Sequence, residues 1–263
     1  MGIVNVTPDS FSDGGAFLEP AAAIDHGLRL IDEGADLLDI GGESTRPGAE
    51  PVPPEEQCRR ILPVLEGLRR SSARAPLFVD TRSAAVARAA LDAGADGIND
   101  ISALRDDPAM SELIAERGCP VILMHMKGTP ATMQLAPAYG DVVAEVVAFL
   151  RERVEYAAAR GIASDRIAID PGIGFGKTTD HNLALLNRTD ALVATGQPVV
   201  VGPSRKRFIG ELLGIGRPAD RDVGTLGAVA AAVAGGAAVV RVHAVAMARQ
   251  VVVVCAAIRK GRA

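Results

Sequence analysis

Apolar residues along this chain follow two alternating rhythms. Short, near-continuous runs recur at Ile3 to Val6, Leu37 to Ile40, Leu77 to Val79, Gly97 to Ile98, Val121 to Met124, Ile167 to Ile169, Val199 to Val201 and Val239 to Val242. Runs of this kind suit parallel strands buried on both faces. Between them, apolar residues repeat at helical spacing, as with Ile24, Leu28 and Ile31 in Ala21 to Glu33. The same holds for Val143, Val146, Val147, Leu150 and Val154 in Asp141 to Arg160. Pro20 and Pro108 stand where helices should start, and Gly34, Gly94, Gly118 and Gly161 where they should stop. Eight strand-then-helix repeats predict an α/β chain folded as a (β/α)8 barrel, one domain over residues 1–263. An open doubly wound sheet is the alternative.

Composition narrows the partners. With 48% hydrophobic residues among 263, the chain can fill one large core. The formal net charge of −4 comes without a block of like charge, so no footprint for nucleic acid is expected. Cys58, Cys119 and Cys255 are odd in number and scattered, which suggests neither a disulfide framework nor a zinc site and suits the cytoplasm. Met1 is followed by no basic and apolar leader. The apolar runs at Leu226 to Val240 and Val251 to Ile258 are too short for a bilayer, so no membrane partner is expected.

In a barrel of this kind the site is built where the strands end. The runs deliver a consistent set there: Asn5, Glu43 to Arg46, Asp80, Asn99, His125, Asp170, Ser204 to Lys206, then Arg241 and His243 two residues apart and so on one face. Asp80, Asp170 and Asn99 suit the N–H-rich edge of a flat heterocycle such as an aminopyrimidinone. Arg241, His243 and Arg46 suit phosphate oxygens. No Ser-His-Asp order and no glycosidase-like Glu pair points to hydrolysis. Each residue also has a plain reading: an Asp or Asn before a helix is commonly a cap, and a histidine is commonly core. His125 and Met124 read as pocket wall, and His26 and His181 as surface. Pro171 to Thr178 nearly spells a phosphate loop, but Pro171 replaces its first glycine, lacking both the N–H and the freedom in φ.

Asn5 to Gly15, Gly41 to Pro47, Asp80-Thr81, Asn99-Asp100, Asp170 to Lys177, Ser204-Arg205-Lys206 and Arg241-Val242-His243, in this order along the whole chain, resemble the dihydropteroate synthases. The resemblance implies a single pterin-binding (β/α)8 barrel that joins 6-hydroxymethyl-7,8-dihydropterin diphosphate to 4-aminobenzoate and releases pyrophosphate by an SN1-like route. It implies pterin binding by Asp80, Asn99, Asp170 and Lys206, and pyrophosphate binding by Asn5, Arg46, Arg241 and His243. Mg²⁺ would be the cofactor, with Asn5 as its protein ligand. Aminobenzoate would lie against Thr45, Pro47, Phe175, Ser204 and Lys206. Asp13 and Arg46, on two loops that close over the reacting centre, would join Lys206 and Asp170 as catalytic residues. A homodimer is also implied, and the Ala- and Val-rich stretch around Leu226 to Ile258 offers helices through which it could pair.

The chain departs from that pattern at Ala103, where Gly is usual, at Ala244, where Asp or Asn is usual, and at Pro203. Two other functions compete: a barrel that binds a pterin without synthase activity, as in methyltransferase pterin domains, and a P-loop nucleotide hydrolase.

Overall fold

The computed structural model describes residues 1–7, 20–44, 48–71 and 74–261. Eight strands form: β1 Gly2–Asn5, β2 Leu38–Gly41, β3 Leu77–Asp80, β4 Gly97–Asp100, β5 Val121–Met124, β6 Ile167–Asp170, β7 Val200–Val201 and β8 Val239–Val240. The first six are parallel neighbours in sequence order, and β7 pairs β8 in parallel. Single parallel bridges, Ile169 to Val199 and Gly2 to Val242, join the two sheets at both edges. The ring is therefore closed, which rules out the open doubly wound alternative. Residues Val199 and Arg241–Val242, expected as strand, contribute these bridges and loop bonds rather than continuous ladder, so β7 and β8 are shorter than their apolar runs.

The helices are α1 Pro20–Asp32, α2 Pro54–Arg70, α3 Ala84–Asp92, α4 Pro108–Arg117, α5 Val142–Ala159, α6 Thr179–Asn187, α7 Thr189–Val193, α8 Arg207–Leu213, α9 Asp222–Ala234 and α10 Val245–Lys260. Local chemistry sets their ends. Asp107 caps α4 by accepting from the Ala109 N–H at 3.0 Å, with Pro108 as first residue. Gly118 closes it at φ +59°. Asp141 caps α5 through the N–H groups of Val143 and Ala144.

Strand alternation then sorts the side chains. Leu38, Ile40, Val79, Ile98, Val121 and Ile167 face outward and join the helices in one extended core. Phe78, Ile122, Ala168, Val200 and Val239 face inward and pack together with Met1 and Leu37, plugging the barrel floor. Two residues further along the strands, at Asp80, Met124, Asp170, Gly202 and Arg241, the inward layer becomes mostly polar. The apolar floor fixes the register that places this layer at the mouth.

Candidate active site

The mouth opens into a cavity of about 1560 Å³ whose wall includes Asn5, Asp80, Phe175, Ser204, Lys206, Arg241 and His243. Asn99 and Asp170, each 6% exposed, lie below that wall in the same inward layer. None of the three acid and amide residues serves as the cap of the following helix: those positions belong to Ser83, Asp107 and Thr178. Asp170 does also organise its turn, because Oδ1 accepts from the Gly172 N–H at 2.6 Å.

The centre of the site is a residue that the pattern of strand ends does not reveal. Asp39, in the middle of β2, has 0% exposure. Its Oδ2 accepts from Arg241 Nε at 2.5 Å and from Asn99 Nδ2 at 3.1 Å. Arg241 Nη2 also reaches Asp80 Oδ2 at 3.3 Å. One carboxylate thus ties the cationic half of the mouth to the amide half. Its Oδ1 has no hydrogen-bond partner among the described residues. The sequence signal was an Asp between Leu38 and Ile40 inside an apolar run, where a buried charge needs a partner.

Burial shifts the charges. Asp170 is pushed up to about 6 by desolvation, against the Gly172 N–H and the nearby Lys206 and Arg241 charges. Asp80 is raised as well, by desolvation and then by the Asp39 charge, with Arg241 opposing. Lys206 is lowered to about 8 by burial and Arg241, while Asp170 and Asp80 pull the other way. Its Nζ lies 4.0 Å from the centre of the Phe175 ring, a cation–π contact that sets the two side by side. Acids held near neutrality beside a lysine held near neutrality form a site that responds to small changes in its ligand's charge.

The Asp170 to Thr178 segment shows why it cannot serve as a phosphate loop. Gly172 and Gly176 have φ of +66° and +64°, and a side chain on either would collide with the carbonyl oxygens of His125 and Lys127. The glycines pack the loop against the β5 end. Lys177, 3% exposed, turns inward and bonds His125 Nδ1 at 2.9 Å and the Phe175 carbonyl at 3.0 Å. Burial followed by the Lys177 charge lowers His125 to about 2. His125 therefore stands behind the wall and supports it, rather than lining it as expected. Thr178 caps α6 in a reciprocal box with His181. His26, expected at the surface, is half-buried and lines the cavity beside Arg29.

The other expected residues divide as follows. Asn5 ends β1 at the cavity wall, and His243 follows Arg241 on the same face. Ser204 lies at the wall with its Oγ 2.9 Å from His243 Nδ1. Asp13, Thr45, Arg46 and Pro47 lie outside the described residues. Of the departures, Ala103 has φ +52°, and Ala244 is the N-cap residue of α10 with no side-chain cap bond. A Gly at the first position and an Asp or Asn at the second would each be structurally favoured.

The family model of the pterin binding enzymes matches residues 1–243. The dihydropteroate synthase of Escherichia coli K12 is 45% identical over 243 residues, 92% of this chain and 85% of that protein. This chain belongs to the dihydropteroate synthases. The Synechocystis dihydropteroate synthase is 44% identical over 92% of this chain and 84% of its own length. Among solved structures, a Xanthomonas albilineans dihydropteroate synthase with 4-aminobenzoic acid superposes with a TM-score of 0.92 at 52% identity, covering 98% of this chain and 92% of that one. Another from the same organism, in complex with 7,8-dihydropteroate, gives 0.88 at 48% identity, with the same coverage. A Yersinia pestis synthase in a sulfonamide drug complex gives 0.93 at 42%, covering 98% and 93%.

Proposed function

We propose that the barrel mouth joins 6-hydroxymethyl-7,8-dihydropterin diphosphate to 4-aminobenzoate, forming 7,8-dihydropteroate and pyrophosphate. The carrying observation is the convergence of Asp80, Asn99 and Asp170 from β3, β4 and β6 with Lys206 and an Asp39-anchored Arg241. The relatives' structures with 4-aminobenzoic acid and with 7,8-dihydropteroate support the same substrates. The pterin's N–H-rich edge faces the two carboxylates and the amide, and Lys206 donates to the opposite side of the ring.

Arg241 has two kinds of contact, and they differ in strength. Its Nε is held by the fully buried Asp39, while the longer Nη2 bond to Asp80 is open to competition. An incoming diphosphate takes Nη2 as the Asp39 bond keeps the side chain in place, and Asp80 is released to accept from the ring. When the C–O bond to the diphosphate breaks, positive charge spreads from the methylene into the pterin above Asp170 and Asp80. Arg241 receives the departing charge and His243 stands beside it as a hydrogen-bond partner, so both ends of the breaking bond meet fixed groups that stabilise them. The arylamine nitrogen, lodged between Phe175, Ser204 and the Lys206 stem, then attacks the methylene and gives up a proton to solvent.

Mg²⁺ fits the donors present. Asn5 brings an amide oxygen to the cavity wall, and no group of three His, Cys, Asp or Glu among the described residues could hold a metal ion by itself. The ion would take Asn5, diphosphate oxygens and water, in keeping with its preference for oxygen and retained hydration. When bound it neutralises charge on the leaving diphosphate. No helix among the described residues is long and apolar enough to cross a membrane, and the three free cysteines suit the cytoplasm. The apolar outer face of α9 and α10 fits a homodimer.

The test is formation of 7,8-dihydropteroate from the pterin diphosphate, 4-aminobenzoate and Mg²⁺, followed by chromatography. Product that requires both substrates, and falls by at least about 100-fold in Lys206→Ala, is expected. Pterin binding without product would instead fit a barrel that only carries a pterin.

A further inference from the structure

Ser204 and His243 touch at two points. Ser204, in the β7–α8 loop, is 6% exposed. The backbone N–H of His243 donates to its Oγ at 3.2 Å, and the same Oγ lies 2.9 Å from His243 Nδ1. A backbone N–H can only donate, so the first contact uses an acceptor site of the hydroxyl. The hydroxyl proton still needs an acceptor, and Nδ1 is the one that the described residues give it. If Nδ1 carried a proton instead, the hydroxyl would accept twice and its own hydrogen would be left without a protein partner on a nearly buried residue.

The surroundings agree. Arg205 and Lys206 on the β7–α8 loop and Arg241 on the β8 side all disfavour a charged imidazole, and Asp222 from α9 is the acid that favours one. Asp222 is itself held by the Arg205 guanidinium through two bonds of 2.7 and 2.8 Å. The imidazole is thus neutral, lowered to about 3 by burial first and these cations second.

We propose that Ser204 is a positioning residue that holds His243 as its neutral Nε2–H tautomer and so presents a fixed N–H donor to a diphosphate oxygen. This rests on the assignment of the diphosphate to Arg241 and His243. It gives the leaving group one full positive charge, from Arg241, and one neutral donor, from His243. The neutral donor keeps its proton across the working pH range, so diphosphate binding does not depend on a histidine titration.

The test is two-bond proton–nitrogen NMR on protein labelled with ¹⁵N-histidine, with the His243 signals assigned from His243→Asn. The free protein is expected to show protonated Nε2 and bare Nδ1 at His243. Ser204→Ala should mix the tautomers and weaken binding of inorganic pyrophosphate with Mg²⁺ by about tenfold. Ser204→Thr, which keeps a hydroxyl, should restore both. A protonated Nδ1 in the free protein, or a tautomer unchanged in Ser204→Ala with its fold intact by circular dichroism, overturns the proposal. Pyrophosphate that leaves the His243 signals unmoved overturns the diphosphate assignment instead, and the free-protein spectra separate the two failures.

Discussion

Asp39 makes the strongest residue-scale prediction because it is fully buried and shared between Arg241 and Asn99. Asp39→Asn keeps the size and removes the charge, leaving Arg241 with Asp80 alone. We expect kcat/KM for the pterin diphosphate to fall on the order of 100-fold, by steady-state kinetics, with a smaller change for aminobenzoate. An unchanged value would mean that Arg241 needs no anchor. The shifted groups give a second prediction. Asp170 must be ionised to accept from the pterin and loses that form as pH falls through about 6. Lys206 must be protonated to donate and loses its proton as pH rises through about 8. The profile of kcat/KM should therefore be a bell with limbs near these values, and a flat profile between pH 5 and 9 would contradict both assignments. Asp80, Asn99 and Asp170 were legible in the sequence because each ends an apolar run. Asp39 was not, because it sits inside one, and which residue faces it across the barrel depends on closure. His125 misled for a related reason: it too ends an apolar run, yet it follows the inward-facing Met124 and lies behind the wall, bonded to Lys177.

At the scale of elements, punctuation was read well where a single residue type carries the geometry. Asp141 and Arg160, the expected ends of a helix, are the two caps of α5, and Pro108 opens α4. Strand ends in β7 and β8 were less legible, since an apolar residue looks the same whether it extends a ladder or makes one bridge. Two local departures remain correctable. Ala103 holds a left-handed φ of +52° while Asp100 fastens the same turn through the N–H groups of Ser102 and Leu104. Ala103→Gly should stabilise the protein by about 0.5 to 1 kcal/mol, relief of the strained φ being partly offset by glycine's entropy. Ala244→Asp should add about 1 kcal/mol by capping α10, which begins without a side-chain cap bond. Each is expected to raise Tm by about 1 to 4 °C in calorimetry. A fall in either variant would show that the alanine conformation is required.

The molecule as a whole is a closed ring with an apolar floor, a polar mouth and one conspicuously apolar flank. Eight repeats of strand and helix made the ring legible, whereas the bridge that shuts it, Gly2 to Val242, joins opposite ends of the chain. On the flank, Val223, Val253, Val254 and Ile258 are 79, 56, 57 and 74% exposed. Val254→Asp with Ile258→Glu should convert a dimer to a monomer in sedimentation velocity, while a wild-type protein that is already monomeric at micromolar concentration would contradict pairing through α9 and α10. The mouth itself is tested most directly by a crystal structure with a dihydropterin bound. Its ring should lie with the N–H-rich edge on Asp80, Asn99 and Asp170, Lys206 on the far side and Arg241 still bonded to Asp39 through Nε. A ring bound elsewhere, or one that leaves Asn99 and Asp170 uncontacted, would contradict the proposed chemistry.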